Sequence, residues 1–465
     1  MKGKVLFIFP NNEGYAGVPN GLALLSGCLK ESGYETKCFD TTFYVDKPKT
    51  LIMREKHGGV KKLDFEEFWH RDEITDMNGL REKLKKIIDD WKPDLIAVTL
   101  LDVFYYFAVD LLSDLNRDVP VIAGGITSTT SPDFVLKNDC FDFVCVGEGE
   151  DVLIELADSI TNKKDYKNIR NLCYKKNDVI IKNTLRPLKD INTLPYQDWS
   201  IFDERHYYKP FMGEYPRTGM FELARGCPFN CPYCATGNLR EKYKGLGSFV
   251  RNRSVDDAIN EMDFIQKKYD LELIFFIDDN FLGMKKERFY YFCEQYEKRI
   301  NLPFYIQTRC ETIKEEYIKR LNEIKIKTIS IGVEHGNQKY RNSILNRKMS
   351  NEELINAFRI VHKYGIRTTA NIIIGMPYET EDMVKDTIKI IKEIKPDSYS
   401  INYFQPFRGT KMREWAVKLG YISEDHIMTD SNEPLDMPDF KRERIYHYYK
   451  NFKRYLDGEI SLPPS

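Results

Sequence analysis

The chain has 465 residues, 42% of them hydrophobic and 30% charged, with a formal net charge of -1; that is enough apolar material for two or three packed cores. The near-neutral balance excludes a global field that would recruit nucleic acid or an acidic membrane. No apolar run approaches the roughly 20 residues that cross a bilayer, and ten cysteines, scattered except for one group, speak against a disulfide framework and for a reducing, cytoplasmic setting.

The first apolar run, Val5-Leu6-Phe7-Ile8-Phe9, stops at Pro10 with no small-residue cleavage site after it, so it reads as a β-strand rather than a signal peptide. Residues 36–39, 95–100, 119–123 and 141–146 are further strands, and 22–31 and 79–91 are intervening helices. Their apolarity is continuous rather than alternating, which predicts a parallel sheet covered on both faces. Together these elements predict an α/β, doubly wound, Rossmann-like domain over residues 1–165, with 41–78 as a charged and aromatic insertion. Residues 166–217 then hold a hairpin, with strands at 171–175 and 179–182 around Asn177-Asp178, and a proline-rich linker over 184–203.

From 218 to 425 the chain alternates strand and helix six times. The strands are expected at 220–224, 273–277, 304–307, 328–333, 368–374 and 398–404. Three turns carry the spacing of a helix capping box, Ser254 with Asp257, Thr312 with Glu315, and Ser350 with Glu353. Six units are too few for a closed eight-unit barrel and suit a partial one, whose site lies at the C-terminal strand ends. Residues 426–465 read as a helical appendage.

One group of thiols stands out in Glu222-Leu223-Ala224-Arg225-Gly226-Cys227-Pro228-Phe229-Asn230-Cys231-Pro232-Tyr233-Cys234. Thiolates are soft ligands for zinc or for iron–sulfur clusters. A structural zinc site wants a fourth ligand, yet the nearest histidine is His206 and no cysteine follows until Cys293. Three cysteines on a four-iron cluster leave one iron open for chemistry. This CxxxCxxC spacing, with an aromatic residue before the last cysteine, resembles the motif of the radical S-adenosylmethionine (radical SAM) superfamily. The resemblance implies a 4Fe-4S cluster on Cys227, Cys231 and Cys234 that cleaves SAM to a 5′-deoxyadenosyl radical. It also implies an external electron donor of flavodoxin or ferredoxin type.

The resemblance continues along the barrel. Tyr233 stands at the adenine-contacting position; Asp278-Asp279-Asn280-Phe281 resembles the family's D-D-x-F, with Asp279 toward SAM. Ile331-Gly332-Val333-Glu334-His335-Gly336 resembles G-V-E-S-G, which puts Glu334 near a ribose or amino group and replaces the family's serine by His335. Gly375-Met376-Pro377-Tyr378-Glu379-Thr380 resembles G-x-P-x-E-T, which puts Gly375 against the adenine. His335, at a strand end, is a candidate proton shuttle with a structural hydrogen bond as its alternative; Arg309, ending the third strand, is a candidate contact to SAM or substrate.

The N-terminal domain resembles that of the cobalamin-binding class of the superfamily. Asn12-Glu13-Gly14-Tyr15-Ala16-Gly17 falls at the D-x-H-x-x-G motif, with Gly14 in place of the histidine. Thr99-Leu100-Leu101 falls at S-x-L, Gly124-Gly125 at G-G, and Gly147-Glu148-Gly149-Glu150 at the domain's G-E-G-E end. The resemblance implies cobalamin against Asn12, Gly14, Gly17, Thr99, Leu101, Gly124, Gly125 and Glu148, with no lower imidazole. A Rossmann-like domain without a cofactor is the alternative. The activity implied is cobalamin-dependent methylation of an unactivated centre in a small molecule or biosynthetic intermediate; cyclisation, rearrangement or C–C coupling with the same cofactors is the second reading, and a structural zinc protein the third.

Overall fold

The computed structural model describes residues 2–12, 17–45, 75–113, 115, 118–429 and 433–463. It contains two large sheets whose C-terminal edges face one another.

The first sheet has strands β1 (Lys4–Phe9), β2 (Glu35–Asp40), β3 (Leu95–Thr99), β4 (Val121–Gly124), β5 (Phe143–Cys145), β6 (Leu172–Lys176) and β7 (Val179–Lys182). Their order is β2-β1-β3-β4-β5-β6-β7. Strands β1 to β5 run parallel, with Val5 opposite both Thr36 and Leu95. The order reverses between β1 and β3, and that switch point opens a crevice above the strand ends. The hairpin β6–β7 is antiparallel to β5 and to itself, so it extends this sheet instead of belonging to the connecting segment. Expected strand limits hold to within two residues. Helices Tyr105–Ser113 and Glu150–Thr161 complete the covering layers.

The expected linker is a packed strap. Trp199 is fully buried among Tyr207, Tyr269 and Phe221, and its indole N–H donates to Gln197 Oε1 at 3.1 Å. Asp198 accepts from Ser26 and pairs with Lys30 at 2.8 Å, while the buried His206 meets Asp40 at the end of β2. A proline-rich composition conceals these anchors because each partner lies far away in the chain.

The second sheet contains β8 (Thr218–Phe221), β11 (Leu273–Phe276), β12 (Phe304–Arg309), β13 (Ile326–Glu334), β14 (Arg367–Ile374) and β15 (Ser398–Tyr403), all parallel and in chain order. This is the expected six-unit partial barrel. A two-residue ladder, β9 (Ala224–Arg225) with β10 (Arg251–Asn252), follows the first strand. Ser350 and Glu353 form the full reciprocal capping box; Ser254 caps its helix alone, because the Asp257 carboxylate turns to Arg253. Thr312 caps nothing: its hydroxyl is held by Thr308 at 2.7 Å and by the Arg309 carbonyl, and the helix starts at Glu315 after Lys314. The C-terminal helix Arg442–Leu456 buries Ile445, Tyr448, Tyr449, Phe452 and Tyr455 against the barrel.

One face of the first sheet (Val5, Phe7, Leu95, Ile122) shares a continuous core with the strap and the barrel. The other face (Leu6, Ile8, Ile96, Val98) has a core of its own with the outer helices. Among the described residues no helix is long and apolar enough to cross a membrane.

Candidate active site at the facing ends of two sheets

The cysteine loop is fixed at both ends. After β8 the Leu223 amide donates to both carboxylate oxygens of buried Asp278, each at 3.1 Å. The chain then passes Gly226, whose φ of +86° and the Phe249 carbonyl 2.5 Å from a would-be Cβ exclude a side chain. Within the loop the Cys234 amide donates to the Cys231 carbonyl at 3.0 Å, and the helix Ala235–Lys242 begins at once. Asn346 donates to the Asn230 carbonyl and the Met412 amide to the Pro232 carbonyl, so two distant barrel loops hold this one.

Cys231 is buried while Cys227 and Cys234 are half-buried. Burial pushes the Cys227 thiol up to about 11 and raises that of Cys234, so their ligation of a metal would require its charge to displace the proton. Arg309 Nη1 donates to Cys231 Sγ at 3.0 Å, its guanidinium lies 3.7 Å over the Phe229 ring, and its other nitrogen pairs with Glu311. Arg309 therefore stands beside the thiols at the end of β12. Among the described residues no three histidine, cysteine or acidic side chains converge on a single-ion position. A four-iron cube takes each sulfur on a different iron, and three spaced thiols with a cationic donor to one of them fit it.

The residues expected around SAM are distributed as follows. Asp279 lines a cavity of about 340 Å³ with Gly226, Thr236 and Arg225; burial, with Glu222 adding to it, raises its carboxyl. Glu334 ends β13 in a left-handed conformation, φ 63°. Burial pushes its carboxyl up against the pull of Arg347, which lies 3.4 Å from it and 3.3 Å from the Tyr233 hydroxyl. Gly375 has φ +75°, and a Cβ on it would stand 3.0 Å from Ile445 of the C-terminal helix, so its bareness accommodates that helix. His335 is fully buried: Nε2 meets Glu379 at 2.9 Å, and Nδ1 accepts from the Asn337 amide at 3.0 Å. Both ring nitrogens are occupied within the fold, which fits the structural alternative and not a proton shuttle.

Above the first sheet's switch point lies a cavity of about 420 Å³. Its walls include Thr99, Gly124, Gly125 and Glu148, as the resemblance implied, with Phe7, Leu25 and Ile122 supplying apolar surface. A Cβ on Gly124 would meet nothing within 4 Å, so this position opens into the cavity; Gly125 instead has φ +92° and the Leu100 carbonyl oxygen 2.6 Å from a would-be Cβ. An apolar, glycine-walled crevice at a switch point suits the nucleotide tail of a corrinoid. Asn12 Oδ1 is buried without a partner among the described residues, Gly17 packs on Met220, and Leu101 is 40% exposed; none of the three lines this cavity. Gly14 lies outside the described residues.

The barrel contributes Glu222, Arg225, Arg253, Glu261 and Ile277 to the same cavity, and the strap contributes Leu194, Pro195 and Gln197. Leu194, Pro195 and Gln197 belong to the stretch Leu194-Pro195-Tyr196-Gln197-Asp198-Trp199 ahead of the barrel, which resembles an element common to the cobalamin-binding class. Glu222 and Arg225 stand in the run that carries the cysteines, whereas no sequence signal marks Arg253, Glu261 or Ile277. Both cavities share Gly125, Gly147, Glu148, Glu222, Arg225 and Ile277, so the two sites adjoin.

Fold and site therefore define an α/β protein with a three-cysteine loop at the mouth of a partial barrel, facing a glycine-walled crevice. Residues 221–391 match the Radical SAM superfamily and residues 65–157 the B12 binding domain: the chain carries a radical SAM domain preceded by a B12-binding one. It is 25% identical over 429 residues to an uncharacterized methyltransferase of Pyrococcus horikoshii, covering 89% of this chain and 83% of that one. It is also 25% identical over 423 residues to an anaerobic magnesium-protoporphyrin IX monomethyl ester cyclase of Rubrivivax gelatinosus, covering 87% and 68%. Among solved structures it shares its fold with the radical SAM methyltransferase TsrM of Kitasatospora setae, solved with cobalamin and a 4Fe-4S cluster. The TM-score is 0.69 at 18% identity, over 91% of this chain and 79% of that one.

Proposed function

We propose that this protein is a cobalamin-dependent radical SAM methyltransferase acting on an unactivated centre of a small molecule or biosynthetic intermediate. The observation that carries this reading is the adjacency of the cysteine loop and the glycine-walled crevice across shared walls. Cys227, Cys231 and Cys234 hold a 4Fe-4S cluster; Tyr233, Asp279 and Glu334 face SAM; Thr99, Gly124 and Gly125 make room for cobalamin. When bound, the cluster with SAM supplies a hydrogen-abstracting radical, and the corrinoid supplies a methyl group.

The chain itself orients and excludes. The pinned loop would hold the three cysteines in place for the cluster, and the Arg309 guanidinium would offset charge on the Cys231 sulfur. The apolar crevice wall keeps water from a reactive centre. Glu334 and Arg347 offer one acceptor and one donor at the end of β13 for the polar end of SAM. The cluster's electron would come from an external carrier of flavodoxin or ferredoxin type in the cytoplasm.

Anaerobic reconstitution with iron, sulfide and cobalamin, followed by turnover, tests the proposal. About four irons per chain are expected, with S-adenosylhomocysteine and 5′-deoxyadenosine formed in equal amounts. Cys227→Ala, Cys231→Ala and Cys234→Ala each abolish SAM cleavage. Retained cleavage in any of them refutes the cluster assignment. 5′-Deoxyadenosine without S-adenosylhomocysteine refutes methylation and favours a cyclase-type reaction, the activity named for the Rubrivivax relative.

A further inference from the structure

The resemblance assigned Glu148 to cobalamin, but its carboxylate is engaged elsewhere. Arg251 holds both its oxygens, at 2.6 and 2.9 Å, and Arg225 reaches it at 3.1 Å. Arg225 also pairs with Glu150 at 2.6 Å and with Glu222 at 2.8 Å. All of these side chains except Glu222 are at least four-fifths buried.

Arg225 and Arg251 are direct partners on the ladder β9–β10. Two like charges opposite each other destabilise such a pair, and a ladder of two residues has little else to hold it. The acids that neutralise them come mainly from the other sheet, on the turn after β5. The same turn reaches the far side of the cysteine loop, because the Glu148 amide donates to the Tyr243 hydroxyl at 3.2 Å. Tyr243 directly follows the helix that begins after Cys234. A Cβ on Gly147 would overlap that hydroxyl, so glycine is required for the approach.

We propose that the turn Gly147-Glu148-Gly149-Glu150 is a positioning element that grips the cysteine loop from both sides, through Arg225 ahead of it and Tyr243 behind it, and so fixes the distance between the two cofactor sites. Glu148 and Glu150 are positioning residues, and neither is assigned a contact with a reacting atom. The grip is independent of what the sites hold; only its purpose rests on the function proposed above.

Hydrogen–deuterium exchange of the double variant Glu148→Gln/Glu150→Gln tests it, before and after cofactor loading. Residues 222–236 are expected to exchange about tenfold faster, as when one partner of a largely buried ion pair is neutralised, while residues 326–334 stay unchanged. In loaded protein, the distance distribution between the reduced cluster and cob(II)alamin, read by pulsed electron paramagnetic resonance, broadens, and product formed per SAM cleaved falls. Tyr243→Phe, which removes only the hydroxyl, accelerates exchange at 235–243 in a protein that keeps its ion pairs. Exchange at 222–236 equal to wild type, or raised evenly across the barrel, overturns the proposal. Failure to load a cluster refutes the radical reading and leaves the exchange result intact.

Discussion

The paired glycines of the crevice allow the proposed cobalamin site to be separated from the fold that carries it. Gly124→Leu places a side chain of about 100 Å³ where nothing lies within 4 Å of the new Cβ, inside a cavity of about 420 Å³. The backbone there is ordinary strand, and replacing glycine removes freedom from the unfolded chain, so stability stays level or rises by up to about 1 kcal/mol. Cobalamin affinity falls at least ~100-fold, about 2.7 kcal/mol, through the overlap. Gly125→Ala does the reverse. Its backbone, φ 92° and ψ −174°, is a region reserved for glycine that costs about 1–3 kcal/mol for any other residue. The Leu100 oxygen 2.6 Å from the new Cβ adds about 1–3 kcal/mol of forced displacement. Chemical denaturation of the cofactor-free protein gives the stabilities, and spectroscopic titration with hydroxocobalamin gives the affinities. Wild-type cobalamin affinity in Gly124→Leu would show that the crevice is not the corrinoid site; equal destabilisation of both variants would refute the distinction drawn between the two glycines.

Three further outcomes follow from the geometry. His335→Ala leaves Oε1 of the buried Glu379 without its partner, while Oε2 keeps the Met376 amide, and costs about 1–3 kcal/mol in denaturant unfolding, while SAM cleavage per folded molecule stays within twofold of wild type; a loss of cleavage in well-folded protein would restore the shuttle role. Burial pushes the Asp278 carboxyl up to about 7, so between about pH 4 and pH 7 the folded state keeps a proton that the unfolded state has released, and this group's contribution to stability falls as pH rises. Asp278→Asn therefore matches wild type near pH 4 and unfolds at higher denaturant at pH 8, and a parallel pH profile for the two proteins refutes it. Ser350→Ala removes the reciprocal cap and lowers stability by about 1 kcal/mol, which thermal unfolding reads directly.

Local chemistry made much of this molecule legible from residues alone. Three thiols at fixed spacing, a glycine pair after an apolar run and repeated strand–helix units each carry their meaning within a dozen positions. What escaped was set by distance or direction. Arg225 meets Glu148 across 77 residues and Glu150 across 75, and no periodicity records such a meeting. His335 was rightly placed at a strand end, but Glu334 turns the backbone through a left-handed conformation, and the ring lies buried against Glu379. Thr312 and Glu315 have capping-box spacing, yet the hydroxyl was already claimed by Thr308. The hairpin was recognised as a hairpin; that it extends the first sheet depends on the exposed edge of β5, which sequence does not announce.

The continuous core joining the first sheet, the strap and the barrel has a bearing on how such proteins diversify. Trp199 and its aromatic neighbours are shared ground, so neither half keeps its apolar surface dry when the other is exchanged for a homologous piece. Chimeras cut at the strap therefore need matched aromatic inserts from one parent, and new substrate preferences are more readily acquired by altering loops at the strand ends than by shuffling whole modules.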